Sequence, residues 1–257
     1  MKLAPRFLFS FLVLGLISSN SFLYAQETPS LRIYSSNGVK GVLEDLQSDI
    51  ERAIETTLSF EFSTSRTLAD KVSMGELFDI VILTPTLIDE LAELEKIDIK
   101  ARYRFAQVGV GVGSREGVPM KSVKTLNDLR ETLLGAESIA YGANGQSRRT
   151  NEASFSALGV TAEVRGKSRL TGPGEGPGLV AEGEVELVLT LVSELIRAPG
   201  VQFLGALPSE LQRYIQFEAA LGIATKNSAK GREFIDFLSS PDFHDVLKDH
   251  GLDPISQ

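Results

Sequence analysis

Short apolar runs alternate with amphipathic stretches along most of the chain. Leu31-Arg32-Ile33-Tyr34-Ser35 has a strand pattern that breaks at Ser36-Asn37-Gly38. Val39, Val42, Leu43, Leu46, Ile50, Ala53 and Ile54 then recur at three- and four-residue spacing, with charges between them. That spacing predicts one buried face of a helix. Residues 58–62 alternate as a strand, and Ser63-Thr64-Ser65-Arg66 breaks the run before Leu68, Ala69 and Val72 begin a second helix. Residues 79–83, Asp-Ile-Val-Ile-Leu, read as a strand buried on both faces. Thr84-Pro85-Thr86 and Asp89 open a third helix, with proline in the first turn and a carboxylate near the positive end.

A second unit repeats the style. Residues 105–112 are strand-like, 125–134 helical and 138–141 a strand, which runs into Gly142-Ala143-Asn144-Gly145-Gln146-Ser147-Arg148-Arg149 and a further helix. Residues 163–165 read as a strand, the glycine-rich stretch 171–178 as a loop opening a short helix, and 185–190 as a buried strand. The tail gives a strand at 217–224, an amphipathic helix at 229–238, and a last helix capped by Ser240-Pro241 and ended by Gly251. Alternation of this kind predicts an α/β protein whose sheets carry helices on both faces.

In such sheets ligands sit beyond the carboxyl ends of the strands. Those ends carry Ser35, Ser36, Asn37 and Gly38, then Ser65 and Arg66 after the second strand. In the second unit they carry Gln146, Ser147 and Arg148, with Gly172 in the glycine-rich loop and Thr190 closing a strand. Hydroxyls, amides and glycine amides at helix starts are donors for a small anion. Arg66 favours two-pronged recognition of a planar carboxylate, or a phosphate, and Arg148 and Arg149 add cations from the second unit.

Composition narrows the function class. The formal net charge is −8, which argues against a nucleic-acid binder. With no cysteine and two histidines, thiolate sites are excluded and few zinc or copper ligands remain. His244 and His250 stand six apart, on different sides of a helix, and read as surface or capping residues. No metal and no cofactor is expected. Gly166-Lys167-Ser168 lacks the upstream glycine of a phosphate-binding loop, since position 161 is threonine. No Gly-x-Ser-x-Gly elbow and no paired nucleophile and base can be found, so a binding protein is favoured over an enzyme.

Lys2 and Arg6 precede an eleven-residue apolar run, 7–17, then polar residues and Leu23-Tyr24-Ala25. This order predicts a secretory signal peptide at 1–25, too short in its apolar part for a spanning helix. Its removal takes away two positive charges, so the exported chain carries −8 − 2 = −10.

The chain resembles the type II periplasmic solute-binding proteins, in particular the molybdate-binding-like branch. Four places carry the resemblance: Tyr34-Ser-Ser-Asn-Gly entering a helix; Phe62-Ser-Thr-Ser-Arg with the following Gly75-Glu-Leu-Phe-Asp-Ile-Val-Ile; Val180-Ala-Glu-Gly-Glu-Val-Glu-Leu-Val-Leu; and Gly231-Arg-Glu-Phe-Ile-Asp-Phe-Leu-Ser-Ser-Pro241 with His250-Gly-Leu. Their order along residues 31–254 is the specific part. The resemblance implies a two-lobed fold, each lobe a mixed sheet flanked by helices, with lobe 1 at 26–105 and 216–257 and lobe 2 at 106–215. It implies a monomer that closes on a small anionic solute, an oxyanion such as molybdate or a carboxylate, and delivers it in the periplasm to the membrane permease of an ABC importer. An exported sensor signalling through a membrane receptor is the alternative. Residue by residue the match is uneven. Gly38 and Arg66 stand where the branch has its two oxyanion-binding serines, Ser147 matches the small residue at a helix start in lobe 2, and Leu191 stands where the branch has a tyrosine.

Overall fold

The computed structural model describes residues 30–255, so the expected leader at 1–25 lies outside the described residues. The alternating pattern of the first third folds as β1 (Ser30–Ser36), α1 (Lys40–Ile54), β2 (Thr57–Ser63), α2 (Ser65–Ser73), β3 (Ile80–Leu83) and α3 (Pro85–Glu93). A 3-10 turn, Asn37–Val39, joins β1 to α1. Val42, Leu43, Ile50 and Ile54 form the buried face of α1, as their spacing dictates. β1 pairs in parallel with both β2 and β3, and all four residues of β3 are buried.

β4 (Ile97–Val108) is twelve residues long, and after Gly109 the chain continues as β5 (Val110–Arg115). There follow α4 (Leu126–Gly135), β6 (Ile139–Gly142), α5 (Gln146–Ala157), α6 (Thr161–Gly166), β7 (Ser168–Thr171), α7 (Gly176–Ala181), β8 (Leu187–Leu191), α8 (Val192–Leu195) and β9 (Val201–Ala206). The chain then returns through β10 (Ile215–Gly222), α9 (Ser228–Leu238), α10 (Pro241–Asp249) and β11 (Asp253–Pro254).

Two mixed sheets result, matching the α/β, two-lobed expectation. One has the order β11-β4-β10-β3-β1-β2, the other β7-β6-β8-β5-β9. In each, three parallel strands carry the helix crossovers, and antiparallel strands complete the sheet. Fully buried Ile33, Ile82 and Phe105 pack in the first sheet and Ile139, Leu187 and Leu189 in the second. Burying such side chains contributes about 1.5–3 kcal/mol each.

Two local expectations are corrected. Residues 105–112 are not one strand: Gly109 divides β4 from β5, which belong to different sheets. At this crossing the Gln212 side chain donates to the Val110 carbonyl and accepts from the Val110 amide, both at 2.8 Å. Residues 163–165 lie in α6, and the strand falls at β7 instead. A six-residue helix burying only Val164 is too short to show a helical period. His250 caps the end of α10, as expected, and is buried there, with Nδ1 3.0 Å from the Val246 carbonyl and Nε2 3.1 Å from Asp45.

The sheets also meet away from the crossings. Ser193 Oγ donates to the Gly38 carbonyl at 2.7 Å, and Arg197, just past α8, pairs with Asp45 of α1 at 2.5 Å.

Candidate functional site

Parallel strands aim their carboxyl ends, and the helix starts that follow, at one side of a sheet. Both sheets do so here, and the two sets of ends face one cleft of about 950 Å³. From the first sheet come the 3-10 turn that leads into α1, the start of α2 and the start of α3. The second sheet contributes the start of α5, the glycine-rich loop and the end of β8.

Each helix start is built by its own sequence. Ser36 Oγ accepts from the Gly38 amide at 3.4 Å, and Thr64 Oγ1 accepts from the Thr67 amide at 3.2 Å. Pro85 opens α3 behind Thr84. α5 starts after Gly145, whose φ of 94° suits glycine alone. Ser65, Thr86, Asn144, Gln146 and Ser147 add hydroxyls and amides to the lining. The Thr84 hydroxyl is buried and has no hydrogen-bond partner among the described residues. Exposed amides and the positive end of the helix dipole make such starts anion-seeking.

Ser36, Asn37, Gly38, Ser65, Arg66, Gln146, Ser147, Arg148, Gly172 and Thr190 all line the cleft. Ser35 does not. It is fully buried in β1, where side chains alternate between faces, and its hydroxyl donates to the Ser36 carbonyl at 3.4 Å. Several of the lining groups already have partners. Arg66 donates to both oxygens of Glu90, at 2.8 and 2.9 Å, with Asp70 a further 3.6 Å contact. This pairing raises the Arg66 pKa and lowers that of Glu90. Arg148 donates to the Ala143 carbonyl at 2.5 Å and to Glu152 at 2.9 Å. The Gly172 amide donates to Glu175 at 2.8 Å, and the Thr190 hydroxyl donates to Glu194. Arg66 and Arg148 are thus held by carboxylates of their own walls, whereas Arg149 lines the cleft with no ion-pair partner among the described residues.

The matching family model, described as "Bacterial extracellular solute-binding protein", spans residues 31–253. The chain belongs to that family. It shares its fold with the periplasmic molybdate-binding protein of Azotobacter vinelandii. The TM-score is 0.73 at 15% identity, covering 88% of this chain and 100% of that one. The sulfate-binding protein of Mycobacterium tuberculosis gives 0.69 at 16% identity, covering 89% and 88%. A curated relative from a Pseudomonas species, named aconitate isomerase, is 24% identical over 93% of this chain and 94% of its own length. No helix among the described residues is long and apolar enough to cross a membrane.

The cleft also holds residues that the sequence reading passed over. Tyr141, Ile215 and Phe217 give it an apolar floor, and Glu194 stands in its wall. Glu194 is the third residue of α8, and burial raises its carboxyl pKa against the pull of the Thr190 hydroxyl and the Leu191 amide. An acidic residue four positions after a strand-ending threonine was the available signal.

Proposed function

We propose that the protein captures a small anionic solute, an oxyanion or a carboxylate, in the cleft between its two sheets. The lobes close on it, and the loaded form delivers it to the permease of an ABC importer. Residues 1–25 serve as the export leader, and the lobes divide at 105/106 and 215/216. One observation carries the reading: the starts of α1 (through its 3-10 turn), α2, α3 and α5, drawn from both sheets, open on one cleft lined by hydroxyls and amides. A solute held by both walls has more contacts in the closed form, so it shifts the open–closed equilibrium towards closure. Ser36, Asn37, Gly38, Ser65, Arg66, Gln146, Ser147, Arg148, Gly172 and Thr190 are the proposed ligand-facing residues.

With Arg66 and Arg148 paired, the solute is held mainly by neutral donors and helix ends, and Arg149 is the cleft cation left to meet its charge. Thermal denaturation of the purified protein against molybdate, tungstate, sulfate, phosphate and a set of carboxylates tests this. A true ligand at 100 times its dissociation constant stabilises the folded form by about 2.7 kcal/mol. Absence of any shift across the anions, with a shift for neutral solutes, overturns the anion reading.

A second reading is favoured by one observation. The relative matched along almost the whole chain is named for an isomerase, and aconitate is an unsaturated tricarboxylate. Under this reading the same cleft holds such a polycarboxylate and rearranges it. Aconitate therefore belongs in the panel, with conversion between its cis and trans forms followed alongside binding.

A further inference from the structure

We propose that Glu194 is a proton carrier for an unsaturated polycarboxylate bound in the cleft, taking a proton from the carbon beside one carboxylate and returning it two carbons along. The proposal rests on the second reading above, and it assigns the chemistry to a residue and a step.

Placement is the first support. Glu194 follows the carboxyl end of β8 and lines the cleft on which the four helix starts open. Its position is fixed: the Thr190 hydroxyl bonds one carboxyl oxygen, and neighbouring Ser193 is tied to the Gly38 carbonyl of the opposite wall at 2.7 Å.

Charge is the second. A permanently ionised carboxylate in an anion site repels its ligand unless a cation offsets it. Arg66 and Arg148 are committed to Glu90 and Glu152, and the remaining cleft arginine, Arg149, is exposed and makes no contact with Glu194 among the described residues. What surrounds Glu194 is a hydroxyl, an amide and apolar burial, which favours the protonated acid. A cleft carboxyl whose pKa burial raises is suited to general acid–base work.

The step balances without a further reagent. Glu194 as carboxylate removes a proton from a methylene carbon flanked by a carboxylate and a C=C bond. The C–H electron pair becomes the new C=C bond, and the old π pair takes the proton back from the Glu194 acid at the far carbon. Nothing is oxidised or reduced. Negative charge spreads onto the substrate carboxylate during the transfer, where the helix starts and cleft hydroxyls stabilise it.

The test uses the intact protein, its Glu194→Gln variant and the tricarboxylate named above as probe. Calorimetry reads binding, and proton NMR in D2O reads both isomer conversion and deuterium uptake at the two exchanging carbons. The expected result is binding by both proteins, with exchange in the wild type and a loss of at least about 100-fold in the variant. The wild-type rate should also rise with pH, as the resting acid gives up its proton and becomes the base that starts the transfer. Wild-type binding without exchange overturns the proton-carrier role and leaves the binding reading standing. Exchange undiminished in the glutamine variant overturns the assignment to Glu194. Absence of binding by the wild type removes the polycarboxylate reading and the proposal with it.

Discussion

Arg66 donates two hydrogen bonds to Glu90, at 2.8 and 2.9 Å, so the arginine at the mouth of α2 faces a carboxylate of α3 within its own lobe. Both side chains are about half exposed, and such a pair contributes little to stability. Its effect is to hold the guanidinium's fork in a fully used state. Arg66→Ala should change the melting temperature little and weaken anion binding less than tenfold. Glu90→Gln, which frees the guanidinium, should strengthen it, more so at low salt. Calorimetry on both variants decides the matter. A loss well beyond tenfold in Arg66→Ala would show that the ligand displaces Glu90.

The resemblance to the molybdate-binding branch implies a serine at position 38, and the structure leaves no room for one. A Cβ at Gly38 would lie 2.2 Å from Phe217 Cζ and 2.8 Å from Leu191 Cδ1. The aromatic floor has taken the space of the serine. Restoring it, Gly38→Ser, should therefore destabilise the protein by about 1–3 kcal/mol through overpacking and should not confer molybdate binding. Combining it with Phe217→Leu should recover part of the stability. Chemical denaturation of the single and double variants reads the difference.

The fold was legible because its signals are local. The helical spacing from Val39 to Ile54 and the apolar run at 79–83 each sit within one element, and they fold as expected. The chain crossing at Gly109 was not, because a glycine inside an apolar run looks the same whether the strand continues or changes sheets. Of the eleven residues named from the strand ends and loops, all but Ser35 line the cleft, since β-strand polarity sends Ser36, Ser65 and Ser147 to one side. What sequence could not give is which charges cancel. The Arg66–Glu90 pairing spans 24 residues, and Glu218 meets its arginines across more than 100. Ser35 was misplaced for the opposite reason: in a strand, the neighbour of a cleft residue points the other way.

Glu218 is the most buried carboxylate in an ion pair among the described residues, at 3% exposure. On β10 it accepts from Arg102 and, at 3.2 and 3.3 Å, from Arg104, both on β4; Arg102 also reaches Asp89 of α3 at 2.9 Å. β4 and β10 are the strands by which the chain leaves and re-enters the first sheet, so this cluster braces the crossing. Removing one partner of a buried pair costs about 3–5 kcal/mol when the remaining charge stays buried. Here the arginines are partly exposed and can turn to water, so Glu218→Ala should cost less, about 2–3 kcal/mol. Glu218→Gln should cost less again. Urea unfolding of the two variants checks the order.

Burial raises the Glu194 carboxyl above its ordinary value of 4.5, and this has a consequence for stability that can be measured without any ligand. Below about pH 4.5 the group is protonated in both the folded and the unfolded chain, so it carries no penalty. As pH rises, the unfolded chain ionises first while the folded chain keeps its proton. The folded state then binds more protons, and stability falls with pH until the folded pKa is passed. Glu194→Gln keeps the shape and an acceptor for the Thr190 hydroxyl but has no such slope. The variant should match the wild type near pH 4 and become more stable than it as the pH rises above the ordinary carboxyl range, the gap levelling off once the folded pKa is passed. Thermal unfolding at half-unit pH steps measures the gap. A variant less stable than the wild type throughout would mean that Glu194 is ionised in the folded protein, with its bonds to Thr190 and the Leu191 amide outweighing the cost of burial.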